Sequence, residues 1–264
     1  MAWTDVLAPG VTGAGSALET ARFGVTTARM VLGQGADQAD FMDALSHRSE
    51  DVLIVRYEAS HLEVASWLSQ SGYDVLPAGA LTYWDKDVDL ERELPPTVRS
   101  ADELPNTNVR AVVQRIVRSS FVDYGNHYLA NPLFNAEAAL AGYEEWALNT
   151  LAGNPGNVLV LLRGSDPIGI ATLESGPDAR HVEVLLAGLV PEAQGRGLYA
   201  DLLAGCEAHA ALQGTRKLII STQVHNVRPQ RAWARFGLRP FGAVETVHLI
   251  RRPALHDVTR PPCS

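Results

Sequence analysis

Residues 190–203, VPEAQGRGLYADLL, place two glycines and an arginine between an apolar run and the expected first turn of a helix. Helices usually begin at Ser, Thr, Asp or Asn, whose side chains cap the first backbone N–H groups. Gln194, Gly195, Arg196 and Gly197 stand there instead. Uncapped N–H groups at the positive end of a helix dipole bind anions, glycine lets an anion approach the backbone, and arginine adds a charge. The spacing therefore favours a phosphate-binding turn.

Other interpretations of this turn stay open. It could be a plain left-handed turn between a strand and a helix. A dinucleotide-binding GxGxxG turn requires a third glycine where the sequence has Ala200, and a GxxxxGK[ST] loop is absent. The N-terminal stretch VLGQGADQAD also turns through glycine, but Asp37 and Asp40 would repel a phosphate there. We therefore expect one phosphate-binding turn, in the C-terminal half.

Hydrophobic patterns around the turn alternate between helix and strand. VRAVVQRIVRSSF and NAEAALAGYEEWALNTL predict helices, NVLVLLRG and PIGIATLE a hairpin, HVEVLLAGLV a strand and GLYADLLAGCEAHAALQ a helix. The chain continues as strand KLIISTQV, helix RPQRAWARFG and strand AVETVHLIR. Hairpins followed by strand-helix-strand units predict an α/β (α+β) fold, with a mixed sheet covered by helices.

The N-terminal half shows the same alternation. VTTARMVL, DVLIVRY and YDVLPAGALTYW predict strands, and ADQADFMDALSHR and SHLEVASWLSQSG predict helices. Residues 53–84 and 218–249 share a gapless plan of strand, turn, helix, glycine and two strands, in which Gly72 matches Gly237. Either such segments simply look alike, or the N-terminal half is a worn copy of the C-terminal one. Residues 86–108 are charged and proline-rich, which indicates a connector.

Composition limits the classes of function. The 264 residues are 46% hydrophobic and 20% charged, as in a globular chain of one large or two modest domains. A net charge of -8 argues against nucleic-acid binding, which needs a basic face. No segment reaches the roughly 18 apolar residues of a membrane span. The N-terminus lacks a secretory pattern, so we expect a cytoplasmic protein. Cys206 and Cys263 lack metal-binding spacing, and no metal site is predicted.

The turn, the strand before it and TQVHNVRPQRAWARFGL after it resemble the acyl-CoA-binding core of the GCN5-related N-acetyltransferase (GNAT) superfamily. In that family a Q/R-x-x-G-x-G/A turn wraps the pyrophosphate of coenzyme A, and the strands flanking the following helix splay apart to admit the pantetheine arm. The likeness covers residues 157–251. A weaker likeness of FGVTTARMVL and SHLEVASWLSQSGYDVLPAGALTYW extends it to the two-domain branch that contains the dTDP-fucosamine acetyltransferase.

The resemblance implies a fold and a co-substrate. The fold is a GNAT fold, a mixed and mostly antiparallel sheet flanked by helices, in residues 91–255. A smaller α/β domain in residues 1–90, a degenerate half GNAT, precedes it, and a tail at 256–264 follows. The co-substrate is acetyl-CoA. The residues implied to bind it are Leu189, Val190, Gln194, Gly195, Arg196, Gly197, Leu198, Tyr199, Asn226 and Trp233.

Two positions depart from the family pattern. Glu192 stands at the first motif position, where Gln or Arg is usual. Trp233 stands seven residues after Asn226, where the family often has a tyrosine that protonates the departing thiolate. An indole N–H donates a hydrogen bond but is not an acid at useful pH. A thiol with a pKa near about 8.5 leaves tolerably when water protonates it, so this departure weakens the catalytic interpretation without ending it.

Acetyl transfer to an amine needs a polarised carbonyl and a base. The resemblance implies that a backbone N–H near Leu189 holds the thioester oxygen. Glu183, an acidic residue in an apolar strand, is the first candidate for the base, and an exposed strand residue paired with arginine is the alternative. His181, on the same face by strand alternation, is the weaker candidate.

Residues 121–134, FVDYGNHYLANPLF, concentrate aromatic and polar side chains where relatives commonly build the acceptor site. Tyr124, His127, Tyr128 and Asn131 suit a wall that stacks on a polar ring, although helix packing is the alternative for Tyr124. His127 is a second candidate base. Tyr128 and His225 are the candidates to replace the missing acid.

These inferences predict an acyl-CoA-dependent N-acetyltransferase. Its partner is a small-molecule amine, with a nucleotide-linked amino sugar as the first guess, and neither a membrane nor a nucleic acid is expected. A homodimer is left open. The alternatives are a carrier-protein or aminoacyl-tRNA donor in specialised biosynthesis, and a CoA-binding module without catalysis.

Overall fold

A computed structural model describes residues 3–104, 108–177 and 180–252. Its strands are β1 (Val11–Gly15), β2 (Thr27–Leu32), β3 (Val52–Glu58), β4 (Asp74–Asp87), β5 (Val98–Ser100), β6 (Val158–Arg163), β7 (Asp166–Ser175), β8 (His181–Leu189), β9 (Lys217–Gln223) and β10 (Arg239–Ile250). Its α-helices are α1 (Trp3–Leu7), α2 (Ala17–Phe23), α3 (Gln38–Ser46), α4 (Val64–Ser69), α5 (Val109–Phe121), α6 (Ala136–Gly153), α7 (Tyr199–Leu212) and α8 (Val227–Phe236). Within these ranges no helix is long and apolar enough to cross a membrane.

The chain forms two compact units. The first contains the described residues up to Thr82, Gly125–Ala139, and the described residues from Gly242 onward. The second contains Tyr83–Tyr124 and Leu140–Phe241, apart from the undescribed positions within those ranges. The chain passes from one unit to the other inside β4 and again inside β10.

The first unit contains the strand order β1, β2, β3, β10, β4. β2 runs parallel to β3 and pairs with it along its whole length. β1 is antiparallel to β2, and β10 is antiparallel to β3. The first four residues of β3, VLIV, are all apolar and buried. This is expected of a central strand that is covered on both faces. α3 and α4 share a hydrophobic core with β2, β3 and β10.

The second unit contains the strand order β4, β9, β8, β7, β6, β5. β5, β6, β7 and β8 are antiparallel to their neighbours, and β8 is parallel to β9. α7 carries Glu207, a fully buried carboxylate that accepts hydrogen bonds from the side chains of Lys86 and Arg92 and from the N–H of Asp89. A buried carboxylate needs such compensation, and these bonds hold α7 to the end of β4 and to the segment that follows it.

α5 and α7 lie on opposite faces of this sheet. An added Cβ on Gly188 of β8 would lie 2.9 Å from a side-chain atom of α5, and Val98 of β5 lies within 2.8 Å of the corresponding point on α7. Residues that lie directly opposite each other on paired strands point to the same face of the sheet. Val98 lies opposite Leu161, which lies opposite Gly169, which lies opposite Leu189. Val98 and Leu189 therefore both point to the α7 face. Leu189 follows Gly188 in the strand and therefore points to the other face.

The predicted fold class is confirmed, and each predicted strand and helix overlaps an observed one. The sequence patterns miss α1, β1, α2 and β5, because these elements are short and β1, VTGAG, is mostly exposed. The two strands predicted after each repeat helix form one long strand, β4 or β10. β4 begins at Asp74 and β10 at Arg239, a separation of 239 - 74 = 165, which equals 237 - 72 = 165 for Gly72 and Gly237. The shared plan is therefore present in the structure.

The two units differ from the continuous domains predicted at 1–90 and 91–255. The physical reason is that later segments complete the first unit. Phe134 stacks on Phe23 with ring centroids 4.2 Å apart, and residues 244–250 of β10 pair with β3. The predicted tail at 256–264, with Cys263, lies outside the described residues.

A buried chain of hydrogen bonds crosses the first unit. Asn131 Nδ2 donates to His248 Nδ1 at 3.1 Å, and His248 Nε2 lies 3.0 Å from His127 Nδ1. With Asn131 as the donor, His248 carries its proton on Nε2 and donates it to His127. Burial, aided by the positive charge of Arg56, lowers the pKa of both histidines, that of His248 to about 4. Both rings are therefore neutral at neutral pH.

His248 makes stability depend on pH. Its pKa is about 4 in the folded chain and about 6.5 in an unfolded chain, so the unfolded chain binds the proton first as the pH falls. Stability should be constant above about pH 6.5 and fall toward pH 4, by on the order of 3 kcal/mol from His248 alone. Urea unfolding at a series of pH values measures this decline.

His248→Gln provides the comparison, since it removes the titrating ring and keeps a polar side chain. This variant should be less stable at neutral pH but show a flatter decline on acidification. His47→Gln, a change at an exposed histidine, should keep the wild-type slope. If the slope of His248→Gln equals that of the wild type, His248 is not the titrating group.

Candidate active site

β8 and β9 separate early. β8 pairs with β9 only over residues 181–184, although it continues to Leu189 and β9 continues to Gln223. On its other side, the pairing of β8 with β7 skips Leu185, which forms a bulge. A bulge bends a strand and increases its twist. The strands therefore part beyond residue 184, and we call the space between 185–189 and 221–223 the β8–β9 gap.

Backbone groups of β8 line this gap. Val190 N–H donates to the carbonyl oxygen of Ile168 on β7 at 2.9 Å. Successive backbone groups of a strand point to opposite edges, so those of Leu189 and Ala187 point away from β7 and toward the gap. The Leu189 carbonyl accepts a hydrogen bond from Gln194 Nε2 at 2.9 Å. The gap thus exposes peptide groups of β8 that have no partner on β9.

The turn between β8 and α7 contains two glycines in the left-handed conformation, Gly195 with φ 76° and Gly197 with φ 81°. Leu198 occupies the N-cap position, and no side chain caps the helix. Gln194 fixes the turn, because it donates to Leu189 and accepts from Arg228 Nη1 at 2.9 Å. The N–H groups that open this 14-residue helix are those predicted to bind an anion, and no side chain occupies them.

The charges around the turn suit a phosphate. Arg196 is exposed and has no ion pair among the residues that the structure describes. Arg228, which the sequence analysis missed, lies beside the turn, with Nη2 3.2 Å from where a Cβ of Gly195 would be. Its position two residues after Asn226 is the only signal that could have indicated it. Asp201, in the first turn of α7, accepts a hydrogen bond from Thr97 at 3.1 Å.

In the first unit the corresponding turn lies between β2 and α3. It differs in the cap of its helix and in the pairing of its strands. The side chain of Asp37 caps α3 by accepting a hydrogen bond from Asp40 N at 2.9 Å, which occupies the helix end with a carboxylate. β2 and β3, which correspond to β8 and β9, pair from Thr27 to Leu32 and leave no gap along β2. The two halves of one chain thus provide an open and a closed version of the same arrangement.

Glu183 faces α5. It lies opposite Glu174 on β7, and Thr172 lies opposite Leu186. Since opposite residues share a face, Glu183 and Leu186 point to the same side as Gly188, which is the α5 side. Glu183 is 3% exposed, so the alternative of an exposed strand residue is wrong. It lies just before the bulge, whereas His181, also buried, begins the strand with its ring against Gly176.

Tyr124 reaches the far side of the gap. Its ring packs edge-on against Phe121 of α5, with centroids 5.6 Å apart. Its hydroxyl lies 3.3 Å from Thr222 Oγ1 and accepts a hydrogen bond from Gln223 N at 3.3 Å, at the end of β9. Asn226 Nδ2 donates to the same Thr222 oxygen at 3.0 Å. His225 precedes Asn226 and is exposed, between β9 and α8.

Trp233, predicted to contact the cofactor, is a core side chain. It is 2% exposed and packs edge-on against Trp84 with centroids 6.0 Å apart. Its Nε1 donates a hydrogen bond to the Tyr199 hydroxyl at 3.2 Å. Burial keeps the pKa of Tyr199 well above its usual value. The sequence analysis named Tyr199 among the residues that bind acetyl-CoA and gave its phenol no separate role.

His127 and Tyr128 belong to the first unit, where both are engaged. His127 forms the buried pair with His248. The Tyr128 hydroxyl donates to Glu19 Oε1 at 2.5 Å, and burial together with the Glu19 charge raises the pKa of Tyr128 to about 12. Glu19 in turn binds Arg29 through both oxygens, at 2.8 and 2.9 Å. His127 Nδ1 and the Tyr128 hydroxyl are thus engaged in the interior of the first unit, which argues against the predicted catalytic roles of both residues.

Comparisons with known proteins agree with this arrangement. Residues 121–238 match the acetyltransferase (GNAT) family. A GCN5-related N-acetyltransferase from Sphaerobacter thermophilus is 13% identical, with a TM-score of 0.56 over 91% of this chain and 76% of its own. One from Kribbella flavida is 15% identical, with a TM-score of 0.52 over 84% and 81%. A tandem GNAT protein from the clavulanic acid biosynthesis pathway is 13% identical, with a TM-score of 0.52 over 86% and 76%. No curated protein matches the chain in sequence.

Residues 121–238 thus match the model of the acetyltransferase (GNAT) family, and the chain shares the fold of these solved structures. The family uses acetyl-CoA. The family pattern Q/R-x-x-G-x-G/A can be counted from Gln194 as well as from Glu192. Counted from Gln194 it ends at Tyr199, where α7 begins, and Tyr199 becomes the departure in place of Glu192. No cluster of three or more metal-binding side chains occurs in the described part of the chain.

Gly197→Val tests the turn. Valine has a side chain in the path of the phosphate and disfavours a φ of 81°, so CoA binding should be lost. An added Cβ would meet no protein atom within 4 Å, so we expect the variant to fold. Isothermal calorimetry with CoA measures the loss.

Gly164→Val is the matched control. Gly164 has a φ of 63°, also has no atom within 4 Å of an added Cβ, and lies in the β6–β7 turn. The backbone strain in Gly164→Val should be similar to that in Gly197→Val. The CoA affinity of Gly164→Val should nevertheless stay at the wild-type value. Equal CoA affinity in both variants would remove the turn from the binding site.

Proposed function

We propose that the second unit is an acyl-CoA-dependent N-acyltransferase that transfers acetyl from acetyl-CoA to the amine of a small polar metabolite. The observation that carries the proposal is the contrast between the two halves of the chain. The second unit combines a strand gap with an uncapped glycine turn, whereas in the first unit β2 and β3 pair continuously and a carboxylate caps α3. A structural repeat alone does not require this difference.

The gap and the turn match the two ends of coenzyme A. The pyrophosphate would lie on the N–H groups that open α7, beside Arg196 and Arg228. The pantetheine arm carries two amides, and it would lie in the β8–β9 gap against the peptide groups of Ala187 and Leu189. Binding would thus replace the strand pairing that the bulge at Leu185 prevents.

The edge of β8 that faces the gap also supports the transfer of the acetyl group. The N–H of Leu189, directed at the gap, would donate a hydrogen bond to the thioester oxygen and stabilise the negative charge that develops when an amine attacks. Glu183 would take a proton from the substrate ammonium, directly or through a water molecule, on the face covered by α5. Tyr124 stands on that face and reaches the end of β9. We therefore place the entry of the amine on the α5 side.

A nucleotide-linked amino sugar is the first acceptor to test, on the weak likeness to a two-domain branch of the family. A second candidate function is a CoA-binding module without turnover. It is favoured by Trp233, a buried indole at the position where relatives often carry a catalytic tyrosine. Release of free thiol separates the two functions, because a module binds CoA and releases none from acetyl-CoA plus amine.

The experiment has two parts. Calorimetry should give one CoA per chain, and two per chain would show that the first unit also binds. Thiol release from acetyl-CoA is then measured with a panel of amino sugars, nucleotide-linked amino sugars, amino acids and polyamines. Amine-dependent release supports the transferase. Binding without release from any amine supports the module.

Glu183→Gln tests the base. The variant should lose about 10²- to 10⁴-fold in kcat/KM at neutral pH. Its residual rate should rise with pH, because the reaction then depends on amine deprotonated in solution. Glu174→Gln is the control, since Glu174 lies opposite Glu183 on the same face but is exposed. If Glu183→Gln retains full activity at neutral pH, Glu183 is a structural residue.

A further inference from the structure

The Tyr199 phenol has an unusual environment. It is the first residue of α7, and its oxygen accepts a hydrogen bond from Trp233 Nε1 at 3.2 Å. Across the described ranges, no acceptor lies within hydrogen-bond distance of its own proton. Two other phenols are engaged: that of Tyr128, a predicted acid, donates to Glu19, and that of Tyr124 lies against Thr222 and Gln223. Of these three phenols, that of Tyr199 is the one whose proton is not committed to an acceptor.

The hydrogen bond between Tyr199 and Trp233 connects α7 to α8, the helices that follow the two strands of the β8–β9 gap. α7 follows β8, α8 follows β9, and the two strands part beyond residue 184. Leu202, Leu203 and Cys206 lie three, four and seven residues after Tyr199, and all three are buried. A helix places such positions on one face. Tyr199 therefore points inward with them, toward the sheet, and away from the phosphate turn.

Acyl transfer creates a need for this proton. When the C–N bond forms and the C–S bond breaks, the sulfur keeps the electron pair of the broken bond and requires one proton to become a thiol. The substrate nitrogen, starting as an ammonium, loses two protons in the same reaction, one to Glu183 before it attacks and one as the amide forms. We propose that Tyr199 donates its hydroxyl proton to the departing thiolate, and that Trp233 positions Tyr199. This inference rests on the proposed function.

Proton balance closes over one cycle. The Tyr199 phenolate that forms keeps the hydrogen bond from Trp233 Nε1, which stabilises its charge. The phenolate then takes up one proton, which balances the second proton that the nitrogen loses as the amide forms, while Glu183 releases to water the first proton, taken from the ammonium. Trp233 itself transfers no proton, because an indole N–H is too weak an acid. Trp233 is thus a positioning residue, and Tyr199 is the residue that touches the reacting sulfur.

The acidities are compatible with this transfer. Burial raises the pKa of Tyr199, so the phenol stays protonated until it is used. The same interior raises the pKa of the Cys206 thiol to about 12. A thiolate released in a site that excludes water would be a stronger base than one in water, because desolvation disfavours the charged form. The phenol of Tyr199 would therefore give its proton to a strongly basic thiolate, and not to a weakly basic one that is surrounded by water.

Tyr199→Phe is the central variant. It keeps the ring and removes the proton, so kcat with acetyl-CoA should fall by about 10²-fold, while the calorimetric affinity for CoA stays at the wild-type value. A donor with an acidic leaving group, such as the thiophenyl thioester of acetate, needs no protonation, and its rate should be nearly unchanged. Trp233→Phe should lower kcat less and shift the pH profile. Tyr73→Phe, in the first unit, is the control and should behave as wild type.

The outcomes separate this inference from the function on which it rests. If the wild type binds no CoA or releases no thiol, the proposed function fails. If the wild type turns over but Tyr199→Phe keeps both its kcat and its pH profile, only the role of Tyr199 fails. If Tyr199→Phe binds CoA markedly more tightly, the phenol obstructs the gap and is not a proton donor. Loss of kcat that is equal for both donors would also overturn the proposal.

Discussion

The early end of the pairing between β8 and β9 is the constraint on which the site depends. Two parallel strands in one sheet normally satisfy each other's peptide groups. Here the pairing ends at residue 184, next to the bulge at Leu185, and peptide groups of β8 beyond it have no partner on β9. The other features follow from it. Gln194 ties the turn to the end of β8, and Arg228 ties the start of α8 to Gln194, so that both strand-helix units keep their places although the strands have parted.

Burial decides which polar side chains remain available for chemistry. In the first unit Glu19, Tyr128, His127 and His248 satisfy one another or their neighbours, which removes them as acids and bases. In the second unit the hydroxyl of Tyr199 has a donor but no acceptor among the described residues. Residue types alone do not distinguish these cases, because tyrosine and histidine occur in both units. The hydrogen-bond partners do.

Much of the fold follows from sequence, since long periodic segments such as α5, α7 and β3 contain the signal themselves. The glycine turn is equally local, because Gly195 and Gly197 adopt the left-handed conformation that their spacing suggests. What sequence does not show is long-range. The inclusion of residues 125–139 in the first unit depends on packing against Phe23 and Ile54, and this is why His127 and Tyr128 were assigned to the wrong surroundings. Arg228 and the phenol of Tyr199 gain their meaning only from their contacts.

The pairing of β3 with β10 delays the completion of the first unit during synthesis. Residues 244–250 supply the antiparallel partner of β3, whose first four residues are all apolar and buried. A ribosome adds about 5–20 residues per second, so nearly 200 residues, or on the order of ten seconds or more, separate the synthesis of β3 from that of its partner. For that time one edge of β3 stays unpaired, and such an edge is a template for aggregation. Protection of the emerging chain is thus a requirement that the strand order creates.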